Sequence, residues 1–169
     1  MRDAPAKRST TIPPGAVWRL DLRVYYEDTD FSGFVYHASY LRFLERARTE
    51  WLRAIGFEQG ELKQADAVAF AVRRIEIDYI RPAKMDDSLS VETRMRRLGG
   101  ASIDFEQTIM RGVEQLVAAF VAVAMLKDGR PSRIPLQMKK RIVQAAAERS
   151  ARERSNPAHL QRPIEPRDD

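Results

Sequence analysis

Apolar and polar side chains alternate from Trp18 to Tyr26, with Trp18, Leu20, Leu22, Val24 and Tyr26 on one side and Arg19, Asp21, Arg23 and Tyr25 on the other. A period of two predicts a strand with one buried face, and it places Tyr26 at the inward end of that face. Farther on the period changes. Tyr40, Leu44, Ala47, Trp51 and Ile55 recur at spacings of four, three, four and four, with Arg and Glu between them, which predicts an amphipathic helix of about four turns. Gly56 follows the last periodic residue, as a helix stop does, and "FEQGELKQAD" reads as a polar connector. Alternation returns in "VAFAVRRIEIDYIRP", "SLSVETRMRR" and "SIDFEQTIMR", each bounded by Pro, Gly or an Asp-rich turn. The run "LVAAFVAVAML" is apolar throughout, so both of its faces are expected to be covered, one by the helix and the other by a second subunit. One strand, one long helix and four strands joined by short turns describe an antiparallel sheet wrapped around a single helix.

Length adds that 169 residues suit one domain with a real core. Its expected limits are residues 16–135, preceded by a disordered segment 1–15 and followed by a basic segment 136–169. In that last segment "LQMKKRIVQAAAERSARER" reads as a solvated helix and "NPAHLQRPIEPRDD" as disordered. The net charge of +5 sits in the tails: residues 16–135 carry eighteen basic and eighteen acidic side chains. Nucleic-acid binding by the folded part thereby loses its electrostatic argument. The basic tail still suits an acidic partner, an envelope complex or the surface of an anionic membrane. No run approaches the length of a membrane span and the N-terminus has no apolar export region, so a cytoplasmic protein is expected. With no cysteine and only His37 and His159, disulfide frameworks, thiolate zinc sites, a cysteine nucleophile and a His-rich metal centre are excluded, and no cofactor is expected.

The chemistry concentrates in "EDTDFSGFVYH", residues 27–37. Asp28, Asp30, Ser32 and Gly33 stand at the offsets of a calcium loop, but the bidentate Glu required at the twelfth position is Ser39, and a strand precedes the loop where an EF-hand has a helix. A carboxylate set before a helix start is the remaining reading.

One strand, then "VYYEDTDFSGFVYHASYLRFLERARTEWLR", then a strand-rich half: over residues 17–135 this layout resembles the hotdog-fold acyl-CoA thioesterases. Within them it is similar to the Tol-Pal-associated enzymes, relatives of the 4-hydroxybenzoyl-CoA thioesterases. The resemblance implies an α+β hotdog fold, an antiparallel sheet of about five strands wrapped around one long central helix. It also implies a homo-oligomer, dimer or tetramer. The family's acidic residue two before the catalytic Asp, its Gly three after, and His-x-x-Tyr opening the helix fall on Asp28, Asp30, Gly33, His37 and Tyr40. Phe31 and Phe34 depart from it, standing where small or aliphatic residues are common.

Thioester hydrolysis needs a nucleophile or activated water and a donor for the developing oxyanion. Asp30 suits either attack on the carbonyl or proton abstraction from water, and the sequence leaves both routes open. His37 suits a positioning role, and the helix start behind it supplies amide N–H groups for an oxyanion. Tyr26 is placed to hydrogen-bond the carboxylate or the substrate carbonyl; Gly33 and Tyr40 are expected substrate contacts. The phosphates of coenzyme A call for basic side chains, and Arg94, Arg96 and Arg97, leading into "LGGAS", are the candidates, equally suited to an acyl carrier protein. Glu45 is the rival catalytic acid, expected instead to pair with an arginine of its own helix. Two other functions stay open: a hydroxyacyl thioester dehydratase or hydratase on the same fold, and a non-catalytic acyl-binding scaffold of an envelope complex.

Overall fold

The computed structural model describes residues 16–155; the segments expected to be disordered, 1–15 and 156–169, lie outside them. The first strand, β1, is Trp18–Arg23, and the amphipathic pattern becomes the helix α1, His37–Ala54. Gly56 takes a φ of 90°, a left-handed turn that an L side chain would resist, and its N–H bonds the carbonyl of Arg53 to close the helix. The polar connector instead contains a short helix, α2, Gln59–Asp66. Glu61, Lys63, Gln64 and Ala65 are good helix formers, and Leu62 supplies its one apolar anchor on the core. Four long strands follow: β2, Val68–Tyr79; β3, Ser88–Leu98; β4, Ser102–Arg111; and β5, Glu114–Lys127. A two-residue strand, β6, Arg130–Pro131, pairs with β5 ahead of the helix α3, Leu136–Ser155.

All strand pairings are antiparallel, in the order β1-β3-β4-β5-β2, so β1 and β2 are the edges. The buried residues of α1, among them Phe43, Leu44, Ala47 and Trp51, meet Val91, Ile103, Phe105 and Val121 of the sheet in one core cluster. Each such side chain contributes on the order of 2 kcal/mol on burial. The fully buried Gln107 of β4 pins helix to sheet: its amide donates to the Leu44 carbonyl at 3.0 Å and to Thr93 at 2.9 Å, and its oxygen accepts from Arg48 at 2.8 Å.

The C-terminal helix is not solvated on all sides. Met138, Ile142, Ala145 and Ala146 recur at helical spacing and join the same core cluster. Arg141 donates to the Ile55 carbonyl at 3.1 Å, where the C-terminal end of α1 attracts a cation, and Arg149 donates to the Val17 carbonyl at 2.9 Å. No helix among the described residues is long and apolar enough to cross a membrane.

Candidate active site

The loop between β1 and α1 is built by its backbone. Val24 donates to the Asp87 carbonyl at 3.0 Å, which roots the loop on the connection into β3. Asp28, only 2% exposed, turns its carboxylate back on the chain and accepts the Tyr25 N–H at 2.9 Å, holding the single 3-10 turn Tyr26–Asp28. That turn corrects the placement of Tyr26. Strand pairing ends at Arg23, the chain then winds, and Tyr26 points outward with 79% of its surface exposed, so it does not end the inward stripe. Asp28, one of the two acids in the motif, is thus a structural brace for the other.

Beyond it a tight turn carries Asp30. Its N–H donates to the Phe34 carbonyl and its carbonyl accepts from Gly33, each at 3.0 Å, and Gly33 adopts a φ of 78° that glycine alone takes without strain. The Asp30 side chain accepts from the Ser32 hydroxyl and, at 2.8 Å, from the Ser32 N–H. Those two bonds hold its carboxyl below the usual carboxylate range, the hydroxyl contributing most, and the charge of His37 adds to them. Asp30 is exposed, alongside Phe31, Phe34 and Tyr36, and beyond them Tyr79, Ile80 and Met85 also expose apolar surface.

His37 opens α1. Its ring lies 4.3 Å from that of Tyr36 and meets Tyr79 edge-on at 6.5 Å. No side chain caps this helix end; the N–H of the buried Ser39 turns back onto the Tyr36 carbonyl at 2.8 Å, and the amides ahead of it have no side-chain acceptor. Tyr40, by contrast, is buried: its hydroxyl accepts the Ala83 N–H at 2.8 Å and its ring packs on Phe43 and Tyr79. It supports the connection into β3 from inside the core, and the substrate contact expected of it is not available in this chain. Burial pushes its phenol up from the ordinary range.

The arginines fall elsewhere. Arg97 lies ten residues along β3 from Asp87, roughly 33 Å at strand rise, at the opposite end of the sheet from Asp30. Arg94 pairs with Glu92 at 3.0 Å, Arg96 with Glu106 at 2.7 Å and Arg97 with Asp104 at 2.8 Å. One chain therefore does not bring the basic cluster to the carboxylate. Glu45 forms no ion pair among the described residues; it accepts the Thr49 hydroxyl at 2.7 Å beside a cavity of about 80 Å³ lined also by Arg48, Trp51, Gln59 and Phe70. Sequence reasoning did not find Tyr79, whose hydroxyl donates to the His37 carbonyl at 3.1 Å; a contact across 42 residues leaves no local signal. Ser32 was visible as a polar neighbour, but its grip on Asp30 depends on the turn.

Residues 32–118 match the family model of the thioesterase superfamily. The chain is 48% identical over 120 residues to the acyl-CoA thioesterase YbgC of Haemophilus influenzae, covering 70% of this chain and 88% of that one. It is 42% identical over 127 residues to the acyl-CoA thioester hydrolase YbgC of Escherichia coli O6:H1, covering 75% and 90%. Among solved structures, a probable thioesterase from Bartonella henselae superposes with a TM-score of 0.69 at 44% identity, over 71% of this chain and all of that one. A thioesterase from Thermus thermophilus, solved with coenzyme A and Zn, does so with a TM-score of 0.67 at 28% identity, over 76% and 94%. Fold and family match agree: the chain belongs to the thioesterase superfamily and is a thioester hydrolase of the hotdog fold.

Proposed function

We propose that this protein hydrolyses acyl-CoA thioesters to a free acid and coenzyme A, with Asp30 as nucleophile or general base, His37 as positioning residue and the start of α1 as oxyanion hole. One arrangement supports the reading: the Asp30 carboxylate is gripped by the Ser32 hydroxyl and N–H in the turn that leads into the helix opened by His37, an end that no side chain caps. In the nucleophilic route a carboxylate oxygen bonds to the thioester carbon, the carbon–sulfur bond breaks to release the thiolate, and water cleaves the resulting anhydride. In the general-base route Asp30 takes a proton from water as the water oxygen bonds to that carbon, and the carbon–sulfur bond then breaks to release the thiolate, which takes up the proton. Both develop negative charge on the carbonyl oxygen, and the positive end of a helix without a side-chain cap favours that charge.

The protein acts as a homo-oligomer in this reading, dimer or tetramer. An edge strand of 12 residues with one side unpaired, and the apolar surface of Phe31, Tyr79, Ile80 and Met85, support it. Exposed Lys140, Arg152 and Arg154 on α3 suit attachment to an acidic partner or an anionic membrane surface in the cytoplasm.

The test is thiol release from acyl-CoAs running from acetyl to palmitoyl, with benzoyl, for the native chain and Asp30→Asn. Turnover falls by about a hundredfold or more in the variant. An unchanged rate removes Asp30 from the chemistry and transfers the role to Glu45; crotonyl-CoA hydration without thiol release would identify a hydratase instead.

A further inference from the structure

The cavity beside Glu45, about 80 Å³, carries two donors whose bonding the fold leaves incomplete. Arg48 is half-buried; its Nη1 donates at 2.8 Å to the neutral amide oxygen of Gln107, which Leu44 and Thr93 hold in place through the nitrogen of the same amide. Its other N–H groups meet no acceptor and it forms no ion pair among the described residues. Burial lowers its proton affinity, opposed in smaller part by the charge of Glu45. Trp51, 3% exposed, lines the same cavity, and its indole N–H is the one buried side-chain polar group among the described residues without a hydrogen-bond partner. Buried polar groups are nearly always paired, so an orphan donor beside a cavity points to an acceptor that enters it. The remaining walls include Leu52, Phe70, Ile103, Phe105 and Val123. Glu45, the one acid on the cavity, is exposed and engaged by the Thr49 hydroxyl at 2.7 Å, which Gln59 holds in turn at 2.8 Å. A guanidinium edge and an indole N–H among apolar walls suit a carboxylate carried on an apolar chain.

An apolar lane leads there from Asp30. Tyr79, the last residue of β2, bonds the His37 carbonyl at 3.1 Å, and Phe70 and Val72, near the start of the same strand, line the cavity. Between them Ile77 and Ile75 pack against the core and are only half-buried. β2 and α1 therefore run side by side from the carboxylate to the cavity. Arg48 lies eleven residues along α1 from His37, about 16 Å at helical rise, the reach of an extended acyl chain of roughly a dozen carbons. We propose that Arg48 and Trp51 select acyl groups that end in a carboxylate: the thioester sits at Asp30, the methylenes lie on Ile77 and Ile75, and the far carboxylate enters the cavity. The inference rests on the acyl-CoA reading above and names the class of acyl group. The room is sufficient, since a water needs roughly 10–15 Å³ on the same measure and 80 Å³ holds a carboxylate with about three methylenes.

Steady-state kinetics with two thioesters decide it: dodecanoyl-CoA and the mono-CoA thioester of dodecanedioic acid, equal in length and different only at the far end. For the native chain kcat/KM favours the diacid thioester by about tenfold or more, through KM. Trp51→Phe keeps a ring in the core and removes the N–H, and that ratio falls severalfold. Arg48→Met brings it to about one, and Arg48→Lys recovers part of it, because a point charge still attracts a carboxylate. Equal kcat/KM for the two substrates in the native chain, or equal losses on both in Trp51→Phe and Arg48→Met, overturns the selection while the acyl-CoA reading stands. A preference as large for succinyl-CoA over butanoyl-CoA, whose chains are too short to reach the cavity, overturns the placement. A native chain inactive on every acyl-CoA removes both readings.

Discussion

The Tyr79 hydroxyl donates to the backbone carbonyl of His37 at 3.1 Å, tying the last residue of β2 to the first residue of α1. The tie fixes where the helix begins relative to the sheet edge, and its ring packs against both the imidazole and the buried Tyr40. Removing only the hydroxyl, in Tyr79→Phe, keeps that packing. Stability falls by about 1 kcal/mol or less, as for one partly exposed hydrogen bond. If the helix start serves as the oxyanion site, kcat falls severalfold more than KM rises; thermal denaturation and steady-state kinetics read the two effects separately.

Ser32→Ala tests how the proton affinity of Asp30 is set. Ser32 donates twice to that carboxylate and lowers its proton affinity, and the substitution removes the hydroxyl, the larger contribution. The Asp30 pKa then moves up toward the ordinary carboxylate value, and the acid limb of the pH–rate profile moves to higher pH. The sign for stability is the same. A carboxyl lowered on folding stabilises above its unfolded pKa and loses that contribution as pH falls through the folded one, so the variant is the less stable of the two at neutral pH and the difference closes in acid.

Gln107 bridges helix and sheet from full burial. Gln107→Ala leaves the half-buried Arg48 guanidinium, the Thr93 hydroxyl and the Leu44 carbonyl without their partner and opens a cavity. A loss of about 3 kcal/mol is expected, seen as a fall in denaturation midpoint. Gln107→Glu is milder on denaturation, because a carboxylate still accepts from Arg48.

Ile142 on α3 is fully buried although the helix follows the strand-rich half of the chain. Ile142→Ala costs about 2–5 kcal/mol of stability by urea denaturation, with kcat and KM at folding conditions unchanged, since α3 packs at the far end of α1 from Asp30. A cost near zero would mean that α3 is not part of the cooperative core.

Periodicity located β1, α1, β2, β3 and β4, because burial on one face imposes a period of two or 3.6 that local sequence must obey, and a continuous apolar run marked β5. The same reasoning misplaced Tyr26, because apolar alternation ran on past the last ladder residue while the carboxylate of Asp28 had already turned the chain into a 3-10 bend. It read α2 as a connector because one apolar anchor, Leu62, makes no period. It left α3 in solvent because the buried residues of that helix are mostly small, among six basic side chains.

The sequence by itself determined the layout of strands and helix and the short block from Asp28 to Tyr40, since each depends on neighbours within a turn or a strand. Only the tertiary structure decided what those residues touch: that Asp28 is a brace and Asp30 exposed, that Tyr40 points inward, and that Tyr79 rather than Tyr26 reaches the helix start. It also put the arginines at the opposite end of the sheet, because an eleven-residue strand converts a small separation in sequence into the full length of the fold. Contacts made across strands depend on register and twist, which follow from packing the whole core and leave no local trace in the chain.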